Sequence, residues 1–182
     1  MTTAPETLGA GYFDAMYAAS ERYRTALEPG CSIGVFSQLL APRCDTLLSC
    51  DLATAAVSAA SGRTAELPHV RVEQRDIPGQ WPSGRFDLLV LSEILYYFGD
   101  HDLAQVLKHA VDSLEPDGTL LAVHWRHPVA EYPRTGDDVH QALAVQPGLG
   151  RLAVHAEPDF LAEVYIRAEG TPRSVAQATG LV

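Results

Sequence analysis

The chain is short of positive charge. It has 182 residues, with 13 Lys+Arg against 23 Asp+Glu and a formal net charge of −10. Such a surface repels phosphate backbones, which argues against DNA or RNA as a partner and leaves cationic or neutral small molecules. Cysteine is scarce too, with only Cys31, Cys44 and Cys50. Their spacing suits no metal site. An odd count, with Cys31 and Cys50 in or beside apolar runs, reads as reduced, structural thiols of a cytoplasmic protein. No apolar run is long enough to span a bilayer, so no membrane partner is expected. MTTAPETLGAGYF lacks the basic and then apolar pattern of a secretory leader. Neither Ser32 nor Ser92 lies in a G-x-S-x-G context, which argues against a hydrolase triad. No repeat, low-complexity tract or linker divides the chain.

What is present is an ordinary globular composition, 47% hydrophobic and 20% charged, long enough for one α/β domain. Gly11–Ser20 reads as an amphipathic helix with Tyr12, Phe13, Met16 and Tyr17 as its apolar stripe. Beyond it the pattern alternates. Strands are predicted at Arg24–Glu28, Thr46–Asp51, His69–Asp76, Phe86–Glu93 and Thr119–Trp125, with helices at Val35–Leu40, Ala53–Ala60 and residues 137–145. A further helix runs through Leu114, capped by Asp100 or Asp102, and EPDG (Glu115–Gly118) stops it. RLAVHAE and DFLAEVYIRA read as an antiparallel hairpin, and the tail TPRSVAQATGLV as disordered. The predicted fold is α/β: a Rossmann-like, doubly wound, mostly parallel seven-stranded sheet with the hairpin as its antiparallel edge. The expected division is an N-terminal helical lid remnant over 1–21, the ligand-binding domain over 22–169 and a flexible tail over 170–182.

EPGCSIG, Glu28–Gly34, lies between the first strand and its helix. Glycines in that turn let ligand atoms approach the backbone. The spacing is neither the G-x-G-x-x-G of dinucleotide enzymes nor a phosphate loop with its Lys-Ser/Thr pair. An acid two residues before the first glycine suits a cation, which points to S-adenosylmethionine with its ammonium and sulfonium. Glu28, Asp51, Asp76 and Glu93 each close a different predicted strand. Ligands of such sheets bind beyond the carboxyl ends of the strands, at the switch point, so four acids are expected on one rim. Asp51 also suits the cap of the following helix. His124 and His127 close the fifth strand and are expected on the acceptor side, where Trp125 packs or joins them. No carboxylate or Cys near them has metal-ligand spacing, so no metal is expected.

EPGCSIGVFSQLLAPRCDTLLSCDLA, PHVRVEQRDIPGQWPSGRFDLLVLSEILYYF and LLAVHWRHPVAEYPRTGDDVH together resemble the class I S-adenosylmethionine-dependent methyltransferases, and more narrowly the nodulation protein S family, over residues 22–168. That resemblance implies N-methylation, in the family of chitooligosaccharide, with a small-molecule methyl acceptor here. It implies a cofactor set of Glu28, Gly30, Cys31, Ser32 and Gly34 in the first motif, Asp51 and Leu52 in the second, Asp76 and Ile77 in the third, and Ser92 in the fourth. Asp51 matches the acid that binds the ribose hydroxyls, Asp76 the one that receives the adenine amine, and Ile77 flanks the ring. Ser92 and Glu93 match the motif near the methionine end and the acceptor. Two features depart from the pattern. Ser32 stands where many methyltransferases have glycine, and only Ser20–Arg24 joins YFDAMYAAS to the first strand, where relatives carry an additional lid segment.

The resulting expectation is an S-adenosylmethionine-dependent methyltransferase with Glu93, His124 and His127 as candidates for orienting the acceptor and removing its proton. O-methylation remains open beside N-methylation. A catalytically silent cofactor-binding domain is the alternative.

Overall fold

The computed structural model describes residues 22–168 together with Arg173 and Gln177. The helix expected over Gly11–Ser20, the lid remnant over 1–21 and most of the expected tail lie outside the described residues.

The elements follow the alternation of the sequence. They are β1 (Tyr23–Pro29), α1 (Val35–Leu40), β2 (Cys44–Asp51), α2 (Thr54–Arg63), β3 (Val70–Gln74), β4 (Phe86–Ser92), α3 (Asp100–Ser113), β5 (Leu114–Trp125), α4 (Gly136–Ala144), β6 (Leu149–Ala156) and β7 (Phe160–Arg167). A 3-10 turn, Leu95–Tyr97, follows β4. The seven strands form one sheet in the order β3-β2-β1-β4-β5-β7-β6. The pairs among β3, β2, β1, β4 and β5 are parallel, while β7 runs antiparallel to β5 and to β6. The chain order reverses between β1 and β4, which is the switch point of a doubly wound sheet. Among the described residues no helix is long and apolar enough to cross a membrane.

The period of two along the central strands divides the core. Leu89 and Leu91 of β4 join Leu27, Leu103, Val106, Leu107, Leu120, Val139 and Leu143 in one cluster, which brings α3 and α4 onto that face. Leu88 and Val90 join Ala26, Leu40 and Leu47 in the second cluster on the opposite face. The unbroken apolar run of β4 thus reflects burial on both sides, as a central parallel strand requires.

Three local expectations are corrected. EPDG does not separate helix from strand. Pairing passes from Phe86–Leu114 to Leu88–Thr119, so Glu115–Gly118 bulges out within β5, with Asp117 at φ 61. The N-cap of α3 is Gly99, with no side-chain cap bond; Asp100 and Asp102 sit in the first turn, where negative charge is favoured by the helix dipole. Asp100 instead pairs with Arg134 at 2.6 Å. The helix expected over 137–145 starts one residue earlier, because Thr135 and Asp138 form a capping box.

Gly34 precedes α1 with φ 77, and a Cβ there would lie 2.8 Å from the Ala60 Cα of α2. Its small size lets the two helices approach. Gly62, in the last turn of α2, has open space around it. Gly34→Ala is therefore expected to destabilise the fold by roughly 2 kcal/mol or more. Gly62→Ala is expected to stabilise it by about 0.5–1 kcal/mol. Urea denaturation of the two variants checks both signs.

Candidate functional site

At the carboxyl ends of β1, β2, β3 and β4 lies a crevice of ≈ 440 Å³. It is lined by Gly30 and Ser32 from the loop after β1, by Cys50, Asp51 and Leu52 from β2, by Arg75, Asp76 and Ile77 after β3, and by Glu93, Ile94, Tyr97 and Phe98 after β4. Seven of the expected site residues meet there: Gly30, Ser32, Asp51, Leu52, Asp76, Ile77 and Glu93.

The loop is clamped to β2. Gly30 and Cys31 both donate their backbone N–H to the Cys50 carbonyl, at 2.7 and 3.0 Å. Gly30 has φ 74, and a Cβ added to it would meet Ile94 Cδ1 at 2.6 Å. The glycine thus admits Ile94 from across the switch point, closing the crevice floor. Asp51 completes the clamp. Its Oδ2 accepts the Ser32 N–H and its Oδ1 the Ala53 N–H, both at 2.9 Å. Asp51 is not the cap of α2; Ala53 is. The carboxylate is oriented from both sides, and each oxygen keeps a lone pair for a further donor. Among the described residues, no hydrogen bond ends on the Asp76 carboxylate, which is exposed at the crevice edge. Leu52 is 63% exposed, an apolar side chain left bare at the crevice.

Glu93 forms the opposite wall. It has φ 56, a left-handed conformation that costs a non-glycine residue about 1–2 kcal/mol. Neighbouring bonds enforce it. The Glu93 N–H donates to the Val123 carbonyl at 2.8 Å, Oε1 accepts the Trp125 N–H at 2.9 Å, and Oε2 accepts the Tyr96 hydroxyl. Burial and this carboxylate together push the Tyr96 hydroxyl well above its ordinary pKa, so it stays a donor.

Several expected residues stand elsewhere. Glu28 is buried beneath the loop, not on the rim; Oε2 accepts the hydroxyls of Ser37 at 2.5 Å and Ser49 at 2.8 Å. Burial raises its pKa, partly offset by those two hydroxyls. The rim therefore carries three acids rather than four. Cys31 and Gly34 are buried within the loop, and Ser92, the last residue of β4, is half-buried; none of these lines the crevice. Burial pushes the Cys31 and Cys50 thiols up to about 12, so both stay protonated. His127 is exposed, pairs with Asp159 at 2.8 Å and does not line the crevice.

His124 is fully buried. Its Nε2 accepts the Leu95 N–H at 3.2 Å and its Nδ1 meets His140 Nε2 at 3.1 Å. With both ring nitrogens engaged inside the core, it has no open position for an acceptor's proton. Arg75, Cys50, Ile94 and Phe98 line the crevice but escape the sequence reading. For Ile94 and Phe98 a signal exists, since ILYYF directly follows Glu93 at the end of the fourth strand.

The family model described as Nodulation protein S (NodS) matches residues 13–136. The nodulation protein S of Bradyrhizobium diazoefficiens is 35% identical over 98 residues, 53% of this chain and 47% of that protein. The chain thus spans about half the length of the curated relatives it matches. The structure of a protein from Pseudomonas syringae classed as a methyltransferase is similar with a TM-score of 0.72 and 42% identity, covering 86% of this chain and 99% of the other. The N-methyltransferase NodS from Bradyrhizobium japonicum gives a TM-score of 0.73 at 25% identity, covering 87% and 94%. The structure of that protein in complex with S-adenosyl-L-homocysteine gives 0.74 at 24%, covering 87% and 85%, a likeness of fold.

Burial, and secondarily His140, lower the His124 pKa from 6.5 to about 3. The unfolded chain then binds more protons than the native one between those values. The contribution of His124 to stability is complete above pH 6.5 and is lost as pH drops toward 3. Relative to His124→Gln, the wild type is expected to lose about 1.4 kcal/mol of stability per pH unit through pH 5.5 to 4, read by denaturant titrations at each pH.

Proposed function

The chain belongs to the nodulation protein S family, and from that premise we propose that it is an S-adenosylmethionine-dependent methyltransferase acting on the amine of a small molecule. The observation that carries this reading is the convergence of Asp51, Asp76 and Glu93 on one crevice at the switch point of the sheet.

The donor set fits this cofactor. Its ribose hydroxyls, its adenine amine and its ammonium all need acceptors, and its sulfonium needs negative potential. The crevice offers three carboxylates. Asp51, held by the Ser32 and Ala53 amides, is placed to accept two hydroxyl protons through charge-assisted bonds. Asp76 supplies the acceptor for an exocyclic amine. Leu52 and Ile77 supply apolar surface for a planar base. The glycine loop at Gly30 and Ser32 faces the remaining, methionine part.

When bound, the cofactor supplies an activated methyl group for in-line displacement. The protein's own part is positioning and exclusion of water. Glu93, fixed by the Trp125 N–H and the Tyr96 hydroxyl, orients the acceptor by accepting a hydrogen bond from its neutral amine, whose lone pair is then free to face the methyl group. Tyr97, 51% exposed, and Phe98 present an aromatic wall beside it. Burial, and secondarily Tyr132, push the Tyr97 hydroxyl up to about 12, so it is not a base near neutrality. The buried, free cysteines fit a reducing, cytoplasmic compartment.

Calorimetry with S-adenosylmethionine and S-adenosylhomocysteine is expected to give saturable heat, and Asp51→Ala to weaken binding at least about tenfold. A radiolabelled methyl assay against a panel of amines is expected to show turnover, reduced in Glu93→Gln with cofactor affinity retained. Binding without turnover on any amine or alcohol favours the catalytically silent alternative. No binding overturns the cofactor reading.

A further inference from the structure

The crevice has one wall whose backbone is held from inside the core. Leu95 opens the 3-10 turn that follows Glu93 and Ile94 and carries Tyr97 into Phe98. Its N–H has a side-chain acceptor, His124 Nε2 of β5, at 3.2 Å. The proton positions then follow in sequence. A nitrogen that accepts an N–H carries no proton, so neutral His124 carries its proton on Nδ1. That proton is donated to His140 Nε2 of α4, 3.1 Å away, which leaves the His140 proton on Nδ1. His140 Nδ1 donates to Glu163 Oε2 of β7 at 2.7 Å. Tyr165 donates to the same oxygen at 2.5 Å, and Arg151 of β6 donates to Oε1 at 2.9 Å. Four elements, β5, α4, β7 and β6, thus set one direction of donation, which runs from the Leu95 amide through two imidazoles to a carboxylate.

The same residues touch the wall laterally. The Tyr96 ring meets His124 edge-on at 5.6 Å, stacks on Tyr132 at 5.1 Å and passes its hydroxyl to Glu93. His124, His140, Glu163 and Tyr165 are buried, and none lines the crevice. An apolar core would fill that space without polar atoms to satisfy. What the polar chain adds is a fixed acceptor for one amide at the crevice wall.

Resting on the reading of the crevice as the cofactor and acceptor site, we propose that Glu163, His140 and His124 are positioning residues: by fixing the tautomer of His124 they hold the Leu95 amide, and with it the Glu93–Phe98 segment, in the conformation that binds. They act through the backbone of Leu95 and through Tyr96, without touching a ligand. Charge on Glu163 sets the direction of the chain. Burial opposes that charge, and the bonds from Tyr165 and His140 outweigh it, keeping the carboxyl below its ordinary pKa.

Long-range proton–nitrogen NMR of the unmodified protein at pH 7 tests the chain directly. Both imidazoles are expected neutral with protons on Nδ1. A proton on His124 Nε2 overturns the proposal. Two variants test the consequence. His124→Leu keeps bulk and removes the acceptor; His124→Gln returns an oxygen to the place of Nε2. Hydrogen exchange at residues 95–98 is expected to quicken about tenfold in His124→Leu, relative to amides of β2, and to recover in His124→Gln. S-adenosylhomocysteine affinity is expected to follow the same order, with the same tenfold span. Changes that track melting temperature alone in both variants, or no change at 95–98 in either, overturn the proposal. If the unmodified protein binds no S-adenosylhomocysteine, the cofactor reading fails, and the tautomers and the exchange at 95–98 still decide the relay.

Discussion

The crevice depends on a carboxylate caught between two backbone amides. Asp51 accepts Ser32 from the loop after β1 and Ala53 at the start of α2. The loop cannot drift, because Gly30 and Cys31 are already bonded to the Cys50 carbonyl one residue upstream. One side chain therefore joins two loops that belong to different strands. It does so with charge-assisted bonds, which are shorter and stronger than neutral ones. Neither oxygen is saturated, so the group that organises the crevice can also receive a ligand.

The four acids of the sequence divide their labour by depth. Glu28 lies under the loop and ties β1 to Ser37 of α1 and Ser49 of β2. Asp51 shapes the loop from above. Asp76 is left open at the edge. Glu93 stands in a left-handed conformation that bonds from β5 and Tyr96 enforce. Strain of this kind persists only where the surroundings over-determine it, and it gathers where a side chain must be aimed. The wall across from Asp51 is thus the more constrained one, and the His124–His140–Glu163 chain lies directly behind it.

Much of this was legible in the residues. The alternation of apolar segments with glycine and proline turns predicts seven strands with an antiparallel edge, and the sheet order agrees. Acids at the ends of strands predict a rim, because strand ends in a parallel sheet share one level. What the ends do not tell is which face a side chain takes. Leu120, Ala122 and His124 alternate along β5 and are all buried, so the period of two carries His124 into the core and not to the acceptor side where it was expected. Glu28 follows Ala26 in the same way, two residues on along β1 and equally buried. EPDG reads as a stop because its residues favour turns, yet a bulge satisfies the same preference without breaking the strand. Arg75 and Cys50 carried no signal, since their place at the crevice comes from the register of β2 with β3.

The central claim is that the Asp51-centred crevice receives S-adenosylmethionine chemistry. Its most direct test is a titration of the nitrogen-15-labelled protein with S-adenosylhomocysteine, followed by amide chemical shifts. The account predicts saturable shifts at Ser32, Leu52, Ala53 and Ile77, with the amides of β6 unmoved. Saturable shifts that bypass Ser32 and Ala53, or none at all at millimolar ligand, would contradict it.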